Sequence, residues 1–343
     1  MNPARKPAFY MLTAILLIGV LLVILELTAR LVAPPYYRFN NRSHEYYTNP
    51  RGYHHVVRMD GNLPVFGLDY NLSPQLYRLP LNAPKDYLEN RNFEILGLGD
   101  SFVHGAGVEY KDTCLARLES ILAASRMNLH IKNCSVPGAD LNFIVKTYQT
   151  ESRKQDYPLV IYGFVLNDLG LPGRERIRGS DFIDQNNGPN VYTPWRDRLA
   201  IVNLVEASLD KIRLHNQTTR AYLDAFEPDR ARPALVNLKI MADDIRAGGG
   251  QLVLVIFPLL YDFNHYRFEK CHALMRDFAH HNNIPVLDLL PAFSRHAAPD
   301  LWVNPTDHHP NETAHAIAAR ELFDFLKEEN LLPSAAAEKG GKG

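Results

Sequence analysis

The chain predicts an α/β fold, with a parallel sheet covered by helices on both faces and one apolar helix ahead of it. Three observations carry this. From Phe93 onward, short β-branched or apolar runs alternate with stretches of helical period at the spacing of βαβ units. Several of those runs end on small or polar residues, as at Gly99-Asp100-Ser101. Upstream, Ala8 through Leu25 is uncharged and dominated by Leu, Ile, Val and Ala, and roughly 18 such residues reach the length of a membrane-spanning helix.

In chain order, Arg5 and Lys6 precede the apolar run, Glu26 and Arg30 follow it at i,i+4, and Pro34-Pro35 ends the helix. The run exceeds a signal-peptide core and no clean A-x-A-like site follows, so a retained signal-anchor over 1–35 is preferred to a cleaved leader. Arg5 and Lys6 favour a cytoplasmic N-terminus, although Arg38 and Arg42 blunt that bias. The expected placement of the main domain is therefore outside the cytoplasm, periplasmic or extracellular. Residues 36–90, rich in Tyr, Pro, Asn and Arg, read as an irregular stalk or cap.

The domain proper is expected over 91–332. Phe93–Leu98 reads as a strand, and Thr113–Ser125 as a helix with Leu115, Leu118, Ile121 and Leu122 on one face. Strand Leu129–Cys134, helix Ala139–Ser152 and strand Leu159–Val165 follow. The alternation then breaks over about 170–232, a length that suggests a lid-like insertion with one helical stretch near Ile201–Leu214. Tyr192, Trp195, Arg196 and Arg198 in that insertion are either a sugar-binding platform or lid packing. Helix Pro233–Ala247, strand Leu252–Phe257, helix Tyr266–Asn282, strand Pro285–Leu289 and helix Asn311–Glu328 complete the set. The small, polar tail over 333–343 is expected to be disordered.

Composition narrows the function. Thirty-seven basic residues face thirty-eight acidic ones in 343, which gives no support to nucleic-acid binding. The hydrophobic fraction of 46% is ordinary for a chain that buries a full core. Three cysteines without CxxC spacing cannot build a disulfide scaffold, and Cys114 and Cys271 read as small buried hydrophobes on helices.

The chemistry-bearing residues fall at strand ends. Ser101 follows the first strand, so its hydroxyl is delivered to the carboxyl edge of the sheet, where α/β proteins bind ligands. Asp307-His308-His309-Pro310-Asn311, just before the last helix, offers an acid and a base, and Asn311 reads as that helix's N-cap. A serine needs a base, an orienting acid and oxyanion donors to act as a nucleophile. His309 is the candidate base, with His308 as the alternative, and Asp307 is the candidate acid. Gly138, after the second strand, would let a backbone N–H approach a reacting oxygen. Asn167, after the third, would add a side-chain amide. Gly138 alone is more often a tight turn and Asn167 alone more often a capping residue, but the set in this order points to a serine hydrolase.

Gly99-Asp100-Ser101, Gly138, Asn167-Asp168 and Asp307-x-His309-Pro310-Asn311 together resemble the four sequence blocks of the SGNH (GDSL-type) esterases and acyl hydrolases, over roughly residues 92–330. That resemblance implies a flavodoxin-like three-layer α/β/α sandwich working without metal or organic cofactor. It makes Ser101 the nucleophile, His309 the base and Asp307 its partner, with Ser101 N–H, Gly138 and Asn167 as oxyanion donors. Two positions depart from the family pattern. Val165 stands where a glycine is usual, and Thr306 holds the commoner acid position. Some membrane-anchored members of the family that it resembles add or remove acyl groups on surface polysaccharides. The implied substrate is thus an ester-linked acyl group, first of all acetyl, on a carbohydrate. A lipase or thioesterase on membrane lipids and a non-catalytic scaffold are the alternatives.

Overall fold

The computed structural model describes residues 6–32, 71–73, 75–84, 86–89, 91–170, 219–304 and 307–333, with residue 201 and short strands at 47–48, 54–55, 63–65 and 68–70. Most of the expected stalk, nearly all of the insertion before residue 219 (including Tyr192, Trp195, Arg196 and Arg198) and the tail from 334 lie outside the described residues. The chain divides into two compact units, Met1–Val56 with Arg176–Thr218, and Val57–Glu175 with Thr219–Gly343.

In the first unit, helix α1 spans Lys6–Val32. Its stretch Phe9–Ala29, with mean hydropathy 2.6, is long and apolar enough to cross a membrane. Its large apolar side chains from Phe9 to Leu27 are exposed. Glu26 near its end accepts the backbone N–H of Ile201 at 3.0 Å.

The second unit opens with a small antiparallel sheet of β1 (Leu63–Val65), β2 (Leu68–Leu72) and β3 (Arg78–Leu79). Part of the segment expected as stalk is therefore ordered strand, with Tyr77, Arg78 and Leu79 buried. The main sheet holds five parallel strands: β4 (Ile95–Gly99), β5 (Ile131–Asn133), β6 (Leu159–Phe164), β7 (Gln251–Ile256) and β8 (Val286–Asp288). Their order is β8-β7-β6-β4-β5. This is the flavodoxin-like order, second-first-third-fourth-fifth, with its topological switch point between β4 and β6. All six residues of β6 are buried, because a parallel sheet covered on both faces needs apolar side chains on both.

Helices α3 (Cys114–Ala124) and α7 (Glu312–Glu328) pack together, as do α4 (Leu141–Ser152) and α5 (Pro228–Ala247); α6 is Glu269–His281. Their starts are set by side-chain caps. Thr113 accepts from Ala116 N–H, Asp140 from Phe143 N–H, and Asn311 from Thr313 and Ala314 N–H. Helix α5 begins five residues before the expected start. Pro228 takes the first helical position, where no donor is lost, and Pro233 falls inside. The cysteines are free and buried, with Cys114 on α3 and Cys271 on α6.

Candidate active site

The site forms where β4 and β6 part company. Gly99 and Gly163 are register partners on these strands. A Cβ on Gly99 would lie 2.3 Å from Val103 Cγ2, and one on Gly163 2.2 Å from the same atom. The two glycines therefore make the dent into which Val103 sinks, bringing the four-residue helix α2 (Ser101–His104) down onto the sheet. Asp100 caps that helix, its Oδ1 accepting Phe102 N–H at 2.8 Å. Ser101 thus becomes the first helical residue, and its own N–H has no partner within the helix.

The histidine that meets Ser101 arrives from 208 positions away. Strands β9 (Trp302–Asn304) and β10 (Asp307–Pro310) form an antiparallel ribbon, where a loop was expected. Asn311 ties its base, donating to the carbonyls of Asp300 (2.8 Å) and Trp302 (3.2 Å) while it caps α7. His309 Nε2 lies 2.9 Å from Ser101 Oγ, its ring tilted against Phe102 with centroids 5.5 Å apart. Successive strand residues point to opposite faces, and His308 turns the other way. It stacks on Trp302 at 3.9 Å and meets Tyr261 edge-on at 5.6 Å. Trp302 Nε1–H in turn donates to Leu260 carbonyl at 2.6 Å. His309, not His308, reaches the serine. Asp307 is placed by its backbone in β10, opposite Asn304; its side chain lies outside the described residues.

Asn167 sits in the turn Leu166–Leu169 after β6, at the same sheet edge. Its Nδ2 donates to Asp100 Oδ2 at 3.1 Å, and Ser101 Oγ lies 3.5 Å from that oxygen. Asp100 thus joins the Ser101 turn to the β6 turn, a role the sequence did not reveal. Gly138 follows β5, is exposed, and has φ +75° with open space about a would-be Cβ. Its left-handed backbone, rather than crowding, is what favours glycine there. Val165, the departure from the family pattern, is extended at φ −122° and donates its N–H to Asp168 Oδ2 at 3.1 Å. Any residue adopts that conformation, so no glycine is needed.

The electrostatics beneath the site are those of dry carboxyls. Burial raises Asp100, against hydrogen bonds from Phe102 and Asn167 that favour its charge. Burial, followed by the charge of Asp100, pushes Asp168 well above the carboxylate range. Asp168 Oδ2 accepts Tyr162 O–H at 2.8 Å, while Oδ1 has no partner among the described residues. Two carboxyls in one dry region oppose each other's charge, and the push toward the neutral form is the larger at Asp168. Buried His104, whose Nδ1–H donates to Ser135 carbonyl at 3.0 Å, is held down to about 3 by burial and then by the charge of Arg78. Among the described residues, no group of three or more His, Cys, Asp or Glu gathers as a metal site would.

A family model for the GDSL-like lipase/acylhydrolase family matches residues 98–317, well over half the chain. The chain belongs to that family. No curated protein matches it. Among similar solved structures are "Crystal Structure of TesA" (15% identity, TM-score 0.46, covering 69% of this chain and 99% of that one) and the psychrotrophic esterase EstA from Pseudoalteromonas sp. (13%, 0.43, 69% and 97%). A mutant of Axe2, an acetyl-xylooligosaccharide esterase from Geobacillus stearothermophilus, is similar at 13% identity and TM-score 0.45, covering 68% and 93%.

Proposed function

We propose that this chain is a serine esterase that works through an acyl-enzyme on Ser101. The observation that carries this is the 2.9 Å approach of His309 Nε2 to Ser101 Oγ at the switch point of the sheet. His309 takes the hydroxyl proton as Oγ bonds to the ester carbonyl carbon, and the carbonyl π electrons move onto oxygen. That oxyanion accepts hydrogen bonds from Ser101 N–H, Gly138 N–H and the Asn167 amide. Asn167 Nδ2 carries two hydrogens. Asp100 takes one, which fixes the amide's orientation and leaves the other for the substrate. Collapse breaks the ester C–O bond, and His309 passes its proton to the leaving alcohol. Water, or a second alcohol in transfer, then attacks the acyl-enzyme with His309 again as base; collapse breaks the acyl–Oγ bond, returns the proton from His309 to Ser101 and releases the acid or the new ester. Asp307 would hold the His309 tautomer, as the acid does in other triads.

Helix α1 would serve as a retained anchor, with the hydrolase unit on the extracytoplasmic side. An acyl group, first of all acetyl, on a surface carbohydrate is the substrate class we place first. An apolar anchor suits membrane lipids or thioesters as well, and a series of p-nitrophenyl esters of rising chain length separates the two. Preference for acetyl supports the carbohydrate, and preference for long chains supports the lipid.

The test is fluorophosphonate labelling and p-nitrophenyl acetate hydrolysis by the full chain in detergent, with the adduct located by mass spectrometry. Ser101→Ala abolishes labelling, and Ser101→Ala and His309→Ala each lower turnover by several orders of magnitude. A wild-type chain that does not label marks a non-catalytic scaffold. Near-normal turnover in either variant rejects the assignment of that residue.

A further inference from the structure

Arg78 comes from β3, twenty residues ahead of the 98–317 segment that defines the family. It is 1% exposed, and burying a guanidinium requires several well-made hydrogen bonds. Three of its hydrogen bonds converge on one place. Nη1 donates to the carbonyls of His104 (3.1 Å) and Gly105 (2.5 Å), and Nη2 donates to Val108 (2.5 Å). All three carbonyls lie in the turn that leaves α2, three to seven residues beyond Ser101. Arginine's planar fork suits such a set, whereas a lysine ammonium is a point donor on a flexible stem.

The turn is bonded to the nucleophile on its other side. Gly105 N–H and Ala106 N–H both donate to the carbonyl of Ser101 itself, at 3.1 and 3.0 Å. It also touches the ribbon that carries the base: a Cβ on Gly107 would lie 2.6 Å from Val303 Cγ1, and Val303 is in β9. The segment Arg78 grips is thus fastened to Ser101 and packed against the carrier of His309. A helix of four residues has too few internal bonds to hold its own geometry, so its carbonyl end must be held from outside.

We infer that Arg78 is a positioning residue for the Ser101–His309 pair, supplied by the chain ahead of the hydrolase segment, fixing the turn His104–Val108 between serine and ribbon. The inference rests on the serine-esterase reading above. It makes the end of the expected stalk part of the active-site architecture rather than a tether.

The test uses the full chain in detergent and the rate of fluorophosphonate labelling at Ser101, normalised to the folded fraction by circular dichroism. Misplacing reacting groups by about 1 Å costs on the order of 10²-fold. Arg78→Lys therefore lowers the labelling rate between about tenfold and 10²-fold, and kcat for p-nitrophenyl acetate falls in parallel while KM stays within about twofold. Arg78→Gln, which keeps one amide donor, falls at least as far. Tyr77→Phe is the control for stability alone. It removes the hydroxyl that donates to Glu151 at 3.3 Å from the neighbouring residue and leaves the turn untouched. It should label like wild type, whatever its thermal midpoint. Wild-type rates in both Arg78 variants overturn the proposal. So does an equal loss in Tyr77→Phe at an equal fall in midpoint, which would mean that the strand acts through stability only. A wild type that fails to label at Ser101 removes the esterase reading, and this proposal with it; that outcome is distinct from labelling indifferent to Arg78.

Discussion

Replacing Asp100 by asparagine tests the wiring of the site more sharply than removing the serine. Asp100 presents two acceptor oxygens, Oδ1 to Phe102 N–H at 2.8 Å and Oδ2 to Asn167 Nδ2 at 3.1 Å. Asparagine has one acceptor and one donor in the same space. If its oxygen keeps the helix cap, its NH2 faces the Asn167 NH2, and Asn167 must turn its own oxygen toward residue 100. The amide then presents no second N–H to the oxyanion. Losing one such donor costs about 10²–10³ in kcat, or roughly 2.7–4 kcal/mol. If the oxygen faces Asn167 instead, the cap is lost, at about 1 kcal/mol of stability. Turnover of p-nitrophenyl acetate and urea midpoints, measured together, distinguish the two orientations. The first matches Asn167→Ala in kcat, and the double variant is then no worse than either single one. Wild-type turnover together with a wild-type midpoint in Asp100→Asn would refute the argument, because every orientation of the amide costs either the helix cap or the free Asn167 N–H.

Other outcomes follow from the same geometry. Gly163→Ala drives a methyl to 2.2 Å from Val103 Cγ2 and 3.1 Å from the Phe257 ring, so it destabilises by about 1–3 kcal/mol; adding Val103→Ala should restore most of that in a urea melt. Asp168 has its folded pKa raised, so its contribution is fullest below the ordinary carboxylate value and is lost as pH rises toward the folded value. Asp168→Asn mimics the neutral form, and its thermal midpoint should gain on wild type as pH rises from 4; an unchanged gap would contradict a raised Asp168. His104 and His315 are both held down to about 3 by burial first. Unfolded histidine takes a proton near 6.5, so each contributes stability that is complete above that pH and lost on acidification toward 3, at up to about 1.4 kcal/mol per pH unit. Replacing either by glutamine should lower the acid slope of unfolding by about one proton, read from urea melts between pH 4 and 6.

Much of the fold is local and so was legible. A strand covered on both faces must be apolar throughout, as Leu159–Phe164 is, and a helix must show its 3.6-residue stripe, as Leu115, Leu118 and Leu122 do. Strand and helix boundaries in the hydrolase unit therefore fall within a few residues of expectation, except at Pro233, where two prolines satisfy the rule for a helix start. The ribbon that carries His309 escaped because Trp302–Asn304 and Asp307–Pro310 lack alternation; only their pairing with each other makes them strands. Asp100, Arg78 and Val103 escaped for a related reason. Their roles are set by what they touch, and nothing in their immediate sequence marks those partners.

By itself the sequence determined the α/β alternation, the apolar N-terminal helix and the strand ends on which Ser101, Gly138 and Asn167 stand, because burial imposes its period on neighbouring residues. The tertiary structure decided the strand order that makes β4 and β6 a switch point. It also turned His309 rather than His308 to the serine, joined Asp100 to Asn167, and brought Arg78 to the turn behind Ser101. Contacts between residues 26 to 208 positions apart are fixed by the register and closure of the whole sheet, and no local period encodes those.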